Sequence, residues 1–277
     1  MTIRWLGGAA ALPAMMVGQA MAAPPSPAYN WSGFYVGGNA GGGWGHSTAN
    51  TTANCNQLLF DGPYNAYVCA SDFVTQNGPL FNAVGAGTID STGFTGGAQV
   101  GYNLQYQGLV FGLETDFGAF QLRGQTQHSG DSSGFFGASN PSVFTITNSV
   151  STDWLYTLRG RVGAPVLPNL LLYATGGLAV TRVGINTTYG DTSTFLTPTG
   201  AANYGASGVR TGWTIGAGVE WGFASQWSAK VEYLYLNFGS MSVSGLLQAA
   251  GSGYRQGLST TTDLTAQIAR VGINRHF

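Results

Sequence analysis

Between Gly212 and Gly239 the chain reads GWTIGAGVEWGFASQWSAKVEYLYLNFG, and this stretch limits what the whole can fold into. Trp213, Ile215, Ala217, Val219, Trp221 and Phe223 are apolar, with small or polar residues between them; after three residues Trp227, Ala229, Val231, Tyr233 and Tyr235 resume an apolar row. Side chains of a strand alternate between its two faces, so a period of two with a short break predicts a β-hairpin. The opposite face carries Glu220, Ser228, Lys230 and Glu232.

A soluble sheet with one buried face alternates in the same way, but the placement of the aromatics separates the two cases. Trp and Tyr stand near the ends of the apolar rows, with small aliphatic residues between them. In a transmembrane barrel, rings with a polar handle sit at the two water interfaces and aliphatic residues face lipid between them. The hairpin is therefore expected to cross a membrane with its polar face turned inward.

Only 8% of the 277 residues are charged, 44 are glycine, and the net charge is −1. The 10 Lys and Arg residues are spread along the chain, with Lys230 the sole lysine, so no basic patch exists and a nucleic-acid-binding class is excluded. The continuous apolar run lies at the N-terminus, where Arg4 precedes WLGGAAALPAMMVGQA and Ala20-Met21-Ala22 offers a small-x-small cleavage site. This predicts a signal peptide over residues 1–22, cut after Ala22, followed by a short extended tether over 23–30. Export to an oxidising compartment makes a Cys55–Cys69 disulfide the expectation. Closing that loop of about 15 residues contributes about 3 kcal/mol in the chain-entropy model. No Cys/His spacing points to zinc.

From Trp31, WSGFYVGGNAGGGWG reads as a first strand to Gly45, with Phe34, Val36, Ala40 and Trp44 on one face and Tyr35 and Asn39 on the other. Further strands are expected at 93–106, 109–120, 152–164 and 170–182, then in the hairpin, and last in TTDLTAQIARVGINRHF, which ends at Phe277. The fifth admits two registers: Leu170, Leu172, Ala174, Leu178 and Val180 outward is favoured because that row has no polar member, and Tyr173 outward is the alternative. Connections alternate long and short, the long ones covering about 47–92, 121–151, 183–208 and 240–260. The first has room for a small hairpin of its own, for instance at Leu58 to Phe60. Outer-membrane barrels have an even strand number, tight periplasmic turns and long extracellular loops. The expected fold is all-β: an eight-stranded antiparallel up-and-down transmembrane barrel over 31–277 with four long extracellular loops. With a periplasmic N-terminus, Trp44, Phe117, Trp154, Trp213 and Tyr235 fall at the outer interface, and Phe34, Tyr106, Trp221, Phe223, Trp227 and Phe277 at the inner one.

WSGFYVGGN, the GWTIGAGVEW…WSAKVEYLY hairpin and the terminal ARVGINRHF resemble the small porin-family outer membrane proteins of Gram-negative bacteria, relatives of the OmpA-type eight-stranded barrel often called outer membrane immunogenic proteins. The likeness covers the strands from Trp31 to Phe277 and not the long connections; the hairpin is its most specific part. It implies an outer membrane location, surface antigenicity and a role in envelope integrity, with porin or haem-binding activity in some relatives. Outer membrane lipids, lipopolysaccharide and the barrel assembly machinery are the partners that follow, with Phe277 as the assembly signal. The family usually has an aromatic residue two positions before the terminal Phe, where this chain has Arg275. A monomer is expected, and since the chain ends within its eighth strand, no appended peptidoglycan-binding domain.

The inward rows collect Glu114, Asp116, Glu220 and Glu232 against Arg159, Arg161, Lys230 and Arg270, four charges of each sign. Side chains fill an eight-stranded barrel, so these groups are expected to pair and plug the lumen. A narrow ion path, gated by rearrangement of the network, is the alternative. No motif joins His46, His128 or His276 to a nucleophile, and the runs Gly41-Gly42-Gly43 and Gly216-Ala217-Gly218 do not open a helix; neither an enzyme nor a cofactor is expected. The long connections are where recognition would lie, and His46, His128 or Tyr254 are the candidate ligands if haem binds there. The function expected is a structural, surface-exposed envelope barrel, with a small porin and a surface ligand binder as alternatives.

Overall fold

The computed structural model describes residues 29–53, 68, 74–132, 142–192, 199–249 and 255–277. It contains β1 (Gly33–Ala53), α1 (Val74–Gly85), β2 (Ala86–Tyr106), β3 (Leu109–Asp131), β4 (Val143–Leu167), β5 (Leu170–Asp191), β6 (Gly200–Ala224), β7 (Trp227–Ala249) and β8 (Arg255–His276). Each strand pairs antiparallel with its chain neighbours, and β1 closes on β8, giving the all-β barrel read from the sequence. One helix is present among the described residues, and it is not long and apolar enough to cross a membrane.

Two-residue turns join β2 to β3, β4 to β5 and β6 to β7. In the first, Gln107 and Gly108 both have positive φ, 49° and 82°, the pair of conformations that matches the twist of a tight hairpin. The outward rows follow the alternation: Phe111, Leu113, Phe117, Trp213, Ile215 and Val231 are exposed. In β5, Leu172 and Leu178 face outward while Leu171, Tyr173 and Ala179 are buried, which selects the favoured register.

The long connections differ from expectation. Strands run from 21 to 25 residues, where about 9–11 suffice to cross a bilayer, so much of what read as loop is strand. The reason is an inversion of pattern. In the far half of β4, Phe144, Ile146 and Val150 are buried, while Thr145, Thr147 and Ser149 face out; in β7, Met241 and Val243 are buried between Ser240, Ser242 and Ser244. Beyond the aromatic belt the outer wall meets water rather than lipid, so the apolar residues turn inward to form a core. An outward apolar row therefore ends at the belt although the strand does not.

The first connection holds α1, whose Phe81 stacks on Phe144 at 5.5 Å and lies 6.0 Å from Tyr189, covering the far end of the barrel. The expected hairpin at Leu58 to Phe60, Cys55, Cys69, Tyr254 and the 1–22 leader lie outside the described residues.

Trp31 does not open the first strand. β1 begins at Gly33, whose φ of 126° favours glycine and where a Cβ would strike the Phe277 carbonyl. Residues 29–32 instead cross beneath the barrel. The Tyr29 N–H donates to Pro168 O in the β4–β5 turn at 2.7 Å, while the Ser32 hydroxyl accepts from the Gln105 N–H on β2 at 2.9 Å.

One interval of the wall is unzipped. β6 and β7 pair at Gly200–Ala249 and Ala201–Gln248 and again from Trp213–Asn237 onward, with no pairs between. A bulge between Asn237 and Ser240, with Gly239 at φ 68°, redirects β7 there. Tyr204 spans the seam: its ring lies against Gly245 of β7 and its hydroxyl is 2.9 Å from Thr260 Oγ1 of β8.

Candidate functional site: the barrel lumen

Five levels of side chains occupy the lumen. At the inner mouth, Trp31 is fully buried against Val110, Leu171 and Tyr173, with Tyr29 at 4.5 Å and His276 at 6.3 Å between ring centroids. Burial, and then the Glu220 carboxylate, push the Tyr29 phenol up to about 12, so this strap across the mouth is neutral at physiological pH.

Above it lie the charges. Three acid–base pairs stand directly opposite on adjacent strands: Glu114 and Arg159, Glu220 and Lys230, Glu232 and Arg270. The Arg159 guanidinium donates to Glu114 at 2.5 Å, Asp116 at 2.9 Å and Glu232 at 3.0 Å. Arg270 bonds Glu232 at 2.8 Å and Asp116 at 3.1 Å. Arg161 donates to Glu220 at 2.6 Å and to the Tyr35 hydroxyl at 3.0 Å. Lys230 reaches past its opposite neighbour to both Glu114 oxygens, at 2.8 and 2.9 Å. All eight charged residues singled out in the sequence share this one buried network.

The sequence reading missed the neutral groups that complete it. Tyr35 and Tyr173 donate to Glu114 and Glu232, at 2.7 and 3.0 Å, and Arg161 stacks 4.0 Å over the Tyr173 ring. Thr157 donates to Asp116 at 2.6 Å, and Ser228 and Asn274 donate to Glu220 at 2.6 and 2.8 Å. Thr157 and Ser228 stand two residues from Arg159 and Lys230 on the same inward rows, which was the available signal; Tyr35 and Tyr173 have no charged residue near them on their strands. Buried carboxylates are tolerated where every lone pair finds a donor, and these groups supply the donors that the cations do not.

The third level is apolar, built by Phe120, Leu122, Val150, Leu155, Leu236 and Phe238 among others. The fourth is a hydroxyl–amide ring in which Thr51 and Thr187 donate to Asn148 Oδ1 at 3.2 and 2.8 Å and Thr260 joins Thr51 at 2.9 Å. The fifth is the apolar cap of Phe81, Phe144, Ile146, Tyr189 and Leu247 under α1.

The remaining candidates are elsewhere. His46 and Asp90 form an exposed pair at 2.8 Å on the outer wall, and His128 Nε2 lies 3.1 Å from the Thr126 hydroxyl. Among the described residues, no group of three His, Cys, Asp or Glu side chains could hold a metal ion. His276 faces the lumen, with Nε2 3.0 Å from Ser228 Oγ. The Phe277 ring is exposed on the lipid-side row under the Arg275 guanidinium at 5.3 Å, and its N–H donates to Phe34 O at 2.9 Å, closing the β1–β8 ladder.

The family described as outer membrane protein beta-barrel domain matches residues 9–277. The 31 kDa outer-membrane immunogenic protein of Brucella melitensis is 32% identical over 220 residues, covering 78% of this chain and 75% of that protein. The 22 kDa outer membrane protein of Rhizobium leguminosarum bv. viciae is 28% identical over 221 residues, covering 80% and 71%. Among solved structures, the outer membrane protein OprG of Pseudomonas aeruginosa aligns with a TM-score of 0.41 at 8% identity, covering 91% of this chain and 100% of that one.

Proposed function

This chain belongs to the outer membrane protein beta-barrel domain family, and on that premise we propose that it is a non-enzymatic, surface-exposed envelope protein of the Gram-negative outer membrane whose lumen is sealed. The observation that carries the reading is the charge network: eight ionic side chains, four of each sign, are buried and bonded to one another, so none is free to line a water-filled path. Water-conducting barrels use more strands; at eight, side chains fill the interior. Apolar levels on both sides of the network support the same reading, since a hydrated ion crossing them would shed its shell without replacement ligands.

The strands that stand beyond the outer aromatic belt present the hydroxyl-rich face a host or antibody would meet, in keeping with the immunogenic label borne by the Brucella relatives. The leader over 1–22, a Cys55–Cys69 bond formed on export, insertion by the assembly machinery through Phe277 and a monomeric barrel belong to the same proposal. In a liposome-swelling assay, the refolded protein is expected to admit small sugars no faster than empty vesicles do. Swelling at a porin's rate would replace this reading with a diffusion channel.

A further inference from the structure

We propose that residues 29–32 form a reversible strap, which leaves the inner mouth and returns to it in the folded barrel, opening the charge network to the periplasmic side while the outer end stays closed. The polar atoms between strap and wall carry the inference. Trp31 Nε1, the Tyr29 hydroxyl, both amide atoms of Asn103, Arg161 Nε and His276 Nδ1 are buried and find no hydrogen-bond partner. Asn103 opposes Gly33, where the strap joins β1, and a Cβ on Gly112 would strike both its Oδ1 and the Arg161 side chain, so these two wall residues lie side by side. Arg161 stacks on Tyr173, which packs against Trp31, and His276 lies 5.6 Å from Tyr29 and 6.3 Å from Trp31 between ring centroids.

A buried donor or acceptor without a partner forfeits the hydration it had in water, and regains it when the interface opens. Opposing that gain is the apolar area of Trp31, which is fully buried. The backbone adds little. Residues 29–32 take no part in the β1 ladder, which begins at Gly33; they are held by the Tyr29 N–H on Pro168 O at 2.7 Å, the Gln105 N–H on Ser32 Oγ at 2.9 Å and the Trp31 N–H on Gln105 Oε1 at 3.4 Å. One large apolar anchor set against several unpaired polar atoms brings the seated and open positions close in free energy.

Gly33, whose φ of 126° favours glycine, is the joint about which the strap turns. With the strap out, Glu220 and His276 meet periplasmic water, and the apolar level of Phe120, Leu122, Leu236 and Phe238 closes the lumen beyond them. The motion rests on the contacts of the strap and not on whether the lumen conducts, so a conducting barrel would leave it standing.

The test uses the full chain labelled with 5-fluorotryptophan, refolded and checked by heat-dependent gel mobility, and observed by fluorine NMR. The Trp31 signal is assigned by its loss in Trp31→Phe. Two Trp31 resonances are expected, and a water-soluble paramagnetic chelate should broaden only the open one. Asn103→Leu and Tyr29→Phe each remove unpaired atoms while keeping apolar contact, so each should raise the ratio of seated to open intensity at least threefold. A single Trp31 resonance that the chelate leaves sharp would overturn the reversible strap. So would a ratio unchanged or lowered in Asn103→Leu, the result expected if bridging water satisfies these atoms in the seated form.

Discussion

Lys230 faces Glu220 across the β6–β7 ladder, yet its ammonium goes to Glu114 on the other side of the lumen, while Glu220 is held by Arg161, Ser228 and Asn274. Glu114 thereby bonds both Lys230 and Arg159; removing its charge takes from Lys230 the carboxylate that it bonds, while Arg159 keeps Asp116 and Glu232. Glu114→Gln and Lys230→Met are each expected to cost about 3–5 kcal/mol, the range for breaking a buried pair. The double variant should recover about 1 kcal/mol or more of the summed loss in urea unfolding; strictly additive losses would mean the two do not interact. Tyr29 reports on the strap in another way. Its phenol titrates near 10 when unfolded and about 12 when seated, so the seated form is favoured in full below pH 10 and that advantage is lost as pH rises through 12. Trp31 emission, taken as the difference from Trp31→Phe, should shift to the red across that window, and Tyr29→Phe should remove the shift.

Among the elements, the β6–β7 seam is where the wall is weakest. Backbone groups of 202–212 and 238–247 that face the seam have no ladder partner, whereas residues 213–222 of the same β6 strand pair fully. Amides of the seam should exchange with deuterium at least tenfold faster than those of 213–222, and Tyr204→Ala should widen the difference by removing the ring that bridges to Gly245 and Thr260. Uniform protection along β6 would contradict the seam. The elements also show what the sequence could reveal. The lipid-facing halves were legible because a bilayer forces an unbroken outward apolar row, as in Trp213 to Phe223, and the charge network because ionic residues on inward rows are conspicuous in a chain with so few. The outer halves were not, since Phe144, Ile146 and Val150 keep the sequence parity of Trp154, Tyr156 and Leu158, and only the irregularity between Thr152 and Leu155 turns them from the lipid side to the lumen. α1 was missed because Gly78 and Pro79 argue against a helix that Phe81 holds by packing. Trp31 continues the alternation of β1 in sequence, and only the turn at Gly33 takes it under the barrel.

At the scale of the whole molecule, one strand set serves two solvents. The lower barrel is apolar outside and charged within; the upper barrel is polar outside and apolar within, and the change comes at the aromatic belt. Apart from the β6–β7 seam, the ladders run through both, so the described strands of the membrane-embedded half and of the exposed half form one continuous barrel. Buried side chains occupy the lumen at each level among the described residues, and beyond the belt the outer wall is hydroxyl-rich. The most direct test of the sealed lumen is single-channel recording from the refolded protein in a planar bilayer, with folding shown by its heat-dependent gel mobility. The expected result is a silent membrane at physiological voltages. Stable, reproducible openings whose conductance changes in Arg159→Ala or Glu232→Gln would contradict it and make the charge network the lining of a pore.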